Sequence, residues 1–516
     1  MPSLVELHRH RQPKPLAHQW IHVLLILTLL YIAPAADAFG TPKTCRLVRS
    51  RNLLLGSGSS SPGNTPSPSV SSEGDADSDP WSSSKPSSSP SPSATSSPLP
   101  PDEGEEEESG EDEDQWSAFE YGQVPVRGVN LGGWFVLQPW ITPSFFEQTG
   151  DPDIIDEYTL GQRMDRSEAL SRLQQHWNSW YQEDDFRQMK SVGLNHVRIP
   201  LGYWSVPLTP QDTEHTLSVD PYIPGAWPYF LEALNWARKH QLHVIVDIHG
   251  APGSQNGYDN SGQRTSSPQW ALDPVNIART LDAIRFIVKN AGGLISMMEL
   301  LNEGAGFRGQ EWEDALRQFF QDGYEVVREE VGEGMKVMIG DGFLTVDRWT
   351  GYLALPDAQG VFMDIHQYQI FSNLELERSF DQHISHACSH IPSLTTYASS
   401  NLWTIMGEWS LATTDCARWL NGRNIGSRWD GTYPNSLSAL GSCAGYTGNS
   451  ANWTEEYKSF LRRYFESQIS IGESVQGWVF WTWKAEEADE WSYQKGVEEG
   501  WIPRDLEERV FGDVCG

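Results

Sequence analysis

From about residue 120 to the C-terminus, short apolar runs alternate with longer stretches whose apolar residues recur every three or four positions. The runs lie at 126–131, 196–200, 243–249, 297–302, 336–340, 361–366, 402–408 and 477–483. Helix-patterned segments between them include 228–240, 276–291, 311–331 and 454–469. A short run without polar alternation suits a strand buried on both faces, and strands that alternate with helices build a parallel sheet. Eight such units over residues 120–516 predict a closed (β/α)8 barrel with enlarged loops in preference to an open doubly wound sheet. No GxGxxG or P-loop follows any run, so nucleotide-binding folds lack their signature.

The runs end on polar or aromatic residues: Asn130, Arg198, His249, Asn302 with Glu303, Asp341, His366, Glu408 and Trp481. In a barrel these positions gather round the mouth at the C-terminal ends of the strands, where barrel chemistry is done. One or two such ends would fit a structural role, but all eight are hard to explain that way. Within the set, Leu300-Leu301-Asn302-Glu303 and Ile405-Met406-Gly407-Glu408-Trp409 each deliver a carboxylate from an apolar run. Two carboxyls converging from distant parts of a chain are what glycoside hydrolysis needs. One protonates the departing oxygen while the other attacks or stabilises the sugar carbon. A lone strand-end glutamate could equally be a salt-bridged barrel closure.

The rest of the chain divides by composition. Residues 1–19 carry several basic side chains, Trp20 to Ala33 is apolar, and Pro34-Ala35-Ala36-Asp37-Ala38 is a small-residue cleavage site. Residues 1–38 therefore read as a signal peptide cut after Ala38, in preference to a retained signal anchor, since the apolar run is short and contains His22. No apolar tail follows Cys515-Gly516, which argues against a lipid anchor there. Residues 39–119 read as a disordered linker: 56–100 is dominated by Ser and Pro, a candidate O-glycosylated stalk, and Asp102 to Asp114 is nearly continuous Asp and Glu. Residues 120–516 remain as the folded, catalytic part.

The formal charge of −32 speaks against nucleic acid and anionic membranes, both of which require clustered Lys and Arg. Twenty-three tryptophans fit a large core and also offer flat faces on which sugar rings stack. Of the five cysteines, Cys45 precedes the stalk; Cys388, Cys416, Cys443 and Cys515 can pair in three ways, and without a CxxC spacing two disulfides are expected over a metal site. Asp247-Ile-His249 and Asp364-Ile-His366 each put an acid and an imidazole on one face of a strand. That could be half of a metal site, but no HxH or HExxH accompanies it in residues 120–516, so neither a metal nor another cofactor is expected and the two aspartates read as partners of the histidines.

Several long motifs, in order, closely resemble the fungal exo-β-1,3-glucanases of glycoside hydrolase family 5. They are Arg127-Gly-Val-Asn-Leu-Gly-Gly-Trp-Phe135, Asn195-His-Val-Arg-Ile-Pro-Leu-Gly-Tyr-Trp204 and His249-Gly-Ala-Pro-Gly-Ser-Gln-Asn-Gly-Tyr-Asp-Asn-Ser-Gly262. His366-Gln-Tyr-Gln-Ile-Phe371, Gly407-Glu-Trp-Ser410, Thr414-Asp-Cys-Ala-Arg-Trp-Leu-Asn-Gly422 and Gly477-Trp-Val-Phe-Trp-Thr-Trp-Lys484 extend the match. The resemblance runs from about residue 124 to the end. It implies a retaining double displacement, with Glu303 as acid/base and Glu408 as nucleophile. It further implies that Asn302 contacts the 2-hydroxyl and that Arg198 orients Glu408 and holds it ionised. His249, His366 and Tyr368 would surround the reacting sugar and Trp481 would be its platform. Tyr258 and Phe371 would grip the next sugar, while Asp259 and Asn260 help close the pocket. Glu303 is expected to have a raised pKa because of the negative charge of Glu408. The same resemblance pairs Cys416 with Cys443 and Cys388 with Cys515. Asn452-Trp453-Thr454 is an N-glycosylation acceptor.

Three positions depart from the family pattern. Gln138 stands where a glutamate contacting the terminal glucose is common, Trp140 where a tyrosine is common, and Gly304 follows Glu303 in place of proline, which leaves the backbone there less fixed. The expectation is a secreted, wall-directed, monomeric enzyme releasing glucose from the non-reducing ends of β-1,3-glucan. A second reading keeps the chemistry but moves the linkage to β-1,6-glucan or other β-glucosides, through Gln138 and Trp140. A third, a glucan-binding wall protein without turnover, has little support while both carboxylates, Arg198 and Asn302 are present.

Overall fold

The computed structural model describes residues 118–516; the expected leader, the Ser/Pro and acidic tracts and Cys45 lie outside the described residues. Eight parallel strands close into a barrel in sequence order: β1 Val126–Asn130, β2 His196–Gly202, β3 His243–Gly250, β4 Met297–Glu299, β5 Lys336–Gly340, β6 Val361–Gln367, β7 Trp403–Trp409 and β8 Gly477–Phe480, with β8 returning to pair β1. The helices include Trp227–Lys239, Pro274–Ala291, Gln310–Val331 and Glu455–Glu473, within a few residues of their periodic patterns. Their starts follow local chemistry. Asp273 accepts from Val275 N–H just before Pro274, and Thr454 accepts from Tyr457 N–H.

Alternate residues of a strand face the barrel interior, and along several strands these positions change character from bottom to mouth. On β3 the series is Ile245, Asp247, His249, and on β6 it is Phe362, Asp364, His366. Val126, Ile245, Met297, Met338, Phe362, Ile405 and Val479 form an apolar plug low in the barrel. Below it Phe119 meets the His196 ring edge-on at 4.5 Å, and the Tyr121 hydroxyl lies 3.0 Å from His196 Nε2. Above the plug comes a layer of buried polar groups, Asn130, Arg198, Asp247, Glu299 and Asp364, and the mouth opens above that.

Two backbone irregularities aim the glutamates. The β6–β7 register pairs Ile365 with Met406 but His366 with Glu408, so Gly407 is an extra residue. Its N–H donates to Asp364 Oδ1 at 2.7 Å, and a Cβ on Gly407 would lie 2.1 Å from that oxygen. Only glycine fits there, and the resulting bulge turns Glu408 into the mouth. Glu303 does not end a strand: β4 stops at Glu299. Leu300 and Asn302 still donate to Met338 O and Ile248 O, after which Glu303 takes a left-handed φ of 49°. Gly304, expected to loosen this turn, is instead packed: a Cβ there would meet Leu316 Cδ2 at 2.3 Å, and its carbonyl accepts from Gly306 N–H at 2.9 Å.

The four cysteines form Cys388–Cys515 and Cys416–Cys443. Asn452 is exposed in a short turn, Ser450–Asn452, so its side chain is accessible. Among the described residues no helix is long and apolar enough to cross a membrane.

Candidate active site

Arg198 organises the polar layer. Its Nε and one NH2 group grip both oxygens of Glu299 at 2.6 and 3.0 Å, and its remaining N–H groups donate to Asn130 Oδ1, Asn302 Oδ1 and Glu408 Oε1, each at 2.9 Å. Asp247 Oδ2 lies 3.1 Å from the same guanidinium. A planar fork serves so many acceptors where an ammonium could not. Arg198 is wholly buried and holds Glu408 directly, while it reaches the Glu303 side only through Asn302. Burial works against its charge, but Asp247, Glu299 and Glu408 outweigh that and hold it protonated. Glu299 is a site residue the sequence reading passed over. The signal was an acid inside the run at 297–302, on the interior-facing alternation. Gln255, whose amide donates to His249 O at 2.7 Å and Asn302 O at 3.0 Å, had no signal of its own.

Glu408 accepts from Arg198 on Oε1 and from the Tyr368 hydroxyl on Oε2 at 2.9 Å. Glu303 accepts from Asn260 Nδ2 on Oε2 at 2.6 Å and faces His366 Nδ1 with Oε1 at 3.0 Å. Asn260, expected only to help close the pocket, therefore touches a glutamate directly. Its neighbour Asp259 has a carboxyl that burial pushes up to about 7, with Oδ2 unpaired. His366 Nε2 faces Asp364 Oδ2 at 3.1 Å, and its Nδ1 also lies 3.5 Å from Glu408 Oε2.

An ionised carboxylate only accepts, and a neutral imidazole has one N–H. A ring with a carboxylate at each nitrogen therefore requires one further proton in the line Asp364–His366–Glu303. Burial opposes charge on His366, but Glu408 and Asp364 outweigh it and raise its pKa well above the usual imidazole range. Burial would likewise raise Glu303, but the hydrogen bond and charge of His366, then the Asn260 amide, bring it below the ordinary glutamate value. Glu408 is raised by burial despite the charges of His366 and Arg198. This overturns the expectation that Glu408 raises Glu303. The imidazole between the two carboxyls, 3.0 Å from Glu303 and 3.5 Å from Glu408, outweighs their mutual repulsion at Glu303. The extra proton belongs to the Glu303–His366 pair and can sit at either end of its 3.0 Å hydrogen bond.

The His249 side is determined by its donors. Trp140 Nε1, which can only donate, gives its proton to Gln138 Oε1 at 2.9 Å. That turns the Gln138 amide nitrogen toward His249 Nε2 at 3.3 Å, so this ring nitrogen accepts and Nδ1–H donates to Asp247 Oδ2 at 2.6 Å. The unusual Gln138 and Trp140 are thus one unit that sets the hydrogen bonding of the His249 ring. With 4% of its surface exposed and one donor and one acceptor already engaged, Gln138 has a single N–H and a lone pair left for a sugar. Trp481 stacks on His249 at 5.4 Å. Asn302 Nδ2, buried beside Glu303, has no partner, as a donor awaiting a ligand hydroxyl would be. At the rim Tyr258 and Phe371 are each 45% exposed. Phe371 packs edge-on against Tyr368.

Glu303, His366 and Glu408 place one ligand atom each within 4.8 Å of one another, as do Glu299, Asp364 and His366. Arg198, Asn260, Tyr368 and the Gly407 N–H already donate to these carboxylates, the pattern of a proton-sharing network.

The fold agrees with the comparisons. Residues 161–428 match the model of Cellulase (glycosyl hydrolase family 5). The chain is 43% identical over 412 residues to the glucan 1,3-beta-glucosidase of Candida oleophila, covering 77% of this chain and 93% of that protein. It is 42% identical over 406 residues to the glucan 1,3-beta-glucosidase of Blumeria graminis, covering 77% and 91%. Among solved structures it resembles rutinosidase from Aspergillus niger, with a TM-score of 0.58 and 17% identity over 75% of this chain and 100% of that one, a likeness of fold. The chain belongs to glycosyl hydrolase family 5 and is a glycoside hydrolase.

Proposed function

We propose that this protein is a retaining exo-β-1,3-glucanase that removes glucose from the non-reducing ends of β-1,3-glucan. The observation that carries the retaining reading is the short gap between the two carboxyls, which place one oxygen each within 4.8 Å of the other and flank one imidazole nitrogen, Glu303 Oε1 at 3.0 Å and Glu408 Oε2 at 3.5 Å. Inverting enzymes hold their carboxyls about 6.5–9.5 Å apart to admit a water, and retaining ones about 5–5.5 Å. The linkage is supported by the names of the relatives at 42–43% identity.

In the proposed reaction the terminal sugar lies against Trp481, with Asn302 Nδ2 donating to its 2-hydroxyl. Glu408, fixed by Arg198 and Tyr368, attacks the anomeric carbon from the face opposite the leaving group. Glu303 gives the shared proton to the departing glycosidic oxygen, drawing it from His366 across their hydrogen bond. A water then enters; Glu303, now a base, takes its proton, the hydroxide displaces Glu408, and the sugar leaves with its configuration retained. Asp364 keeps the His366 proton line loaded, and Asp247 with Gln138 fixes the orientation of the His249 ring.

Two disulfides and an exposed Asn452 acceptor support an oxidising, secretory route. On that reading residues 1–38 are a leader, 39–119 a spacer and 120–516 the catalytic unit, directed to the cell wall. Product analysis on β-1,3- and β-1,6-linked oligosaccharides tests the proposal. Glucose released with β configuration from β-1,3 chains is expected, whereas turnover confined to β-1,6 chains would transfer the site to the second linkage.

A further inference from the structure

Large exposed apolar side chains gather on the loops that follow β3 to β6. Tyr258, Phe307, Phe343 and Phe371 are 45%, 50%, 44% and 45% exposed. Two of them, Phe307 and Phe343, have no part in the pocket as described so far. The three rings from the loops after β3, β4 and β5 touch in series. Tyr258 meets Phe343 edge-on at 6.5 Å, and Phe343 meets Phe307 at 5.7 Å with the planes 76° apart. Tyr258 stands two residues before Asn260, which holds Glu303, so the first ring of the series belongs to the loop that reaches the acid/base candidate.

Both outer rings are held in place. Phe343 adopts φ of 57°, a left-handed conformation unfavourable for a bulky residue, and its N–H donates to Asp341 Oδ1 at 2.8 Å. Gly306 N–H donates to Gly342 O at 3.1 Å, tying the β4 loop to the β5 loop directly beneath the two phenylalanines. Arg308 lies over the Phe307 ring at 5.8 Å and over Trp312 at 5.6 Å, while its guanidinium donates to Asn256 O at 3.1 Å in the Tyr258 loop. A ring fixed by three loops and yet half exposed keeps a flat apolar face toward solvent at little further entropy cost, the property of a preorganised binding surface.

Resting on the exo-β-1,3-glucanase reading, we propose that Phe307, seated on Phe343, forms a distal subsite that stacks on a sugar ring of the glucan beyond the pair of units flanking the cleaved bond. The occupant is a further glucosyl unit on the leaving-group side of the substrate. Its axial C–H groups meet the aromatic face, while the polar edges of the ring stay in water. The subsite makes the enzyme prefer longer chains, because a disaccharide ends before reaching it.

The test compares kcat/KM of the wild type, Phe307→Ala and Phe307→Tyr on β-1,3-linked glucose oligomers of two to six units. The expected result is a ratio of wild type to Phe307→Ala that stays near one for the dimer and rises to about 3- to 10-fold for the longest chains. Phe307→Tyr, which keeps a flat ring, should restore the length dependence. A ratio independent of chain length, whether from a uniform loss or from no loss, overturns the subsite. So does a length-dependent loss that Phe307→Tyr fails to rescue. If the wild type releases no glucose from any β-1,3 oligomer, the functional reading falls and the subsite falls with it; a flat ratio with active wild type removes the subsite alone.

Discussion

Replacing Asp364 with asparagine should disable the proton supply without removing either glutamate. In the wild type Asp364 Oδ1 accepts from the Gly407 N–H at 2.7 Å and Oδ2 faces His366 Nε2 at 3.1 Å. The Gly407 donor is a backbone group at a bulge and cannot turn away, so an asparagine must offer it the carbonyl oxygen. Its amide nitrogen then points at His366 Nε2, which has to accept. The single imidazole proton moves to Nδ1 and donates to Glu303 Oε1, 3.0 Å away. Glu303 is then held as a carboxylate by a neutral ring with no proton to yield. An acid/base group lost in this way costs about 10²- to 10⁴-fold, or about 3–5 kcal/mol of transition-state stabilisation. The local cost to folding, a charge-assisted bond exchanged for a neutral one, is smaller, about 1.5–3 kcal/mol. The assay is kcat/KM for Asp364→Asn across aryl β-glucosides whose leaving groups run from good to poor, with Tm measured on the same preparations. The loss should be small for leaving groups that depart unprotonated and full for alkoxide-like ones. An equal loss for every leaving group would refute the proton line and leave Asp364 a purely structural residue.

Other substitutions probe the remaining parts. Glu408→Gln should lower turnover by several orders of magnitude with folding intact, and an activated 2-fluoro-glycoside should label the wild type at Glu408; a label on another carboxylate would reassign the nucleophile. Glu303→Ala should recover activity on activated glycosides when azide is added, giving the β-azide, and an α-azide would rule out retention. Gln138→Glu would set a carboxylate against His249 Nε2 and draw a second proton onto that ring, so its activity should acquire a new ionisation seen as a shifted kcat/KM–pH profile; an unchanged profile would mean Gln138 does not set the state of His249. Burial pushes Glu490 up to about 8 from 4.5, outweighing the hydrogen bond from Thr447 and those from nearby backbone N–H groups. A carboxyl raised in the folded state stabilises fully below the unfolded value and loses that contribution as pH rises. The wild type should therefore weaken by up to about 1.4 kcal/mol per unit between about pH 4.5 and 8, and Glu490→Gln should flatten that slope in denaturation curves. Removal of Cys388–Cys515, whose partners are separated by 127 positions, should cost about 5 kcal/mol in chain entropy, against about 3.6 for Cys416–Cys443, separated by 27; denaturant titration giving the opposite order would refute the chain-entropy account.

Much of this molecule is written in local pattern. A strand buried on both faces must be apolar and short, and a helix against it must repeat at three and four. The eight units and their order therefore follow from the chain alone, and with them the gathering of Asn302, Glu303, His366 and Glu408 at one mouth. Pattern also marks Gln138, Trp140 and Gly304 as unusual. What each does depends on contacts between residues distant in the chain or on geometry no periodicity encodes. Gly304 is firm because Leu316 packs where its Cβ would be. Gln138 and Trp140 act together because an indole can only donate. Glu408 reaches the mouth because Gly407 bulges against Asp364, 43 residues away. The clearest limit is the proton on Glu303. From sequence, two glutamates in one site imply that each raises the other. In the fold His366 stands between them with Asp364 behind it, and the free energy of a buried proton is set by every charge within a few ångströms, which only tertiary structure assembles.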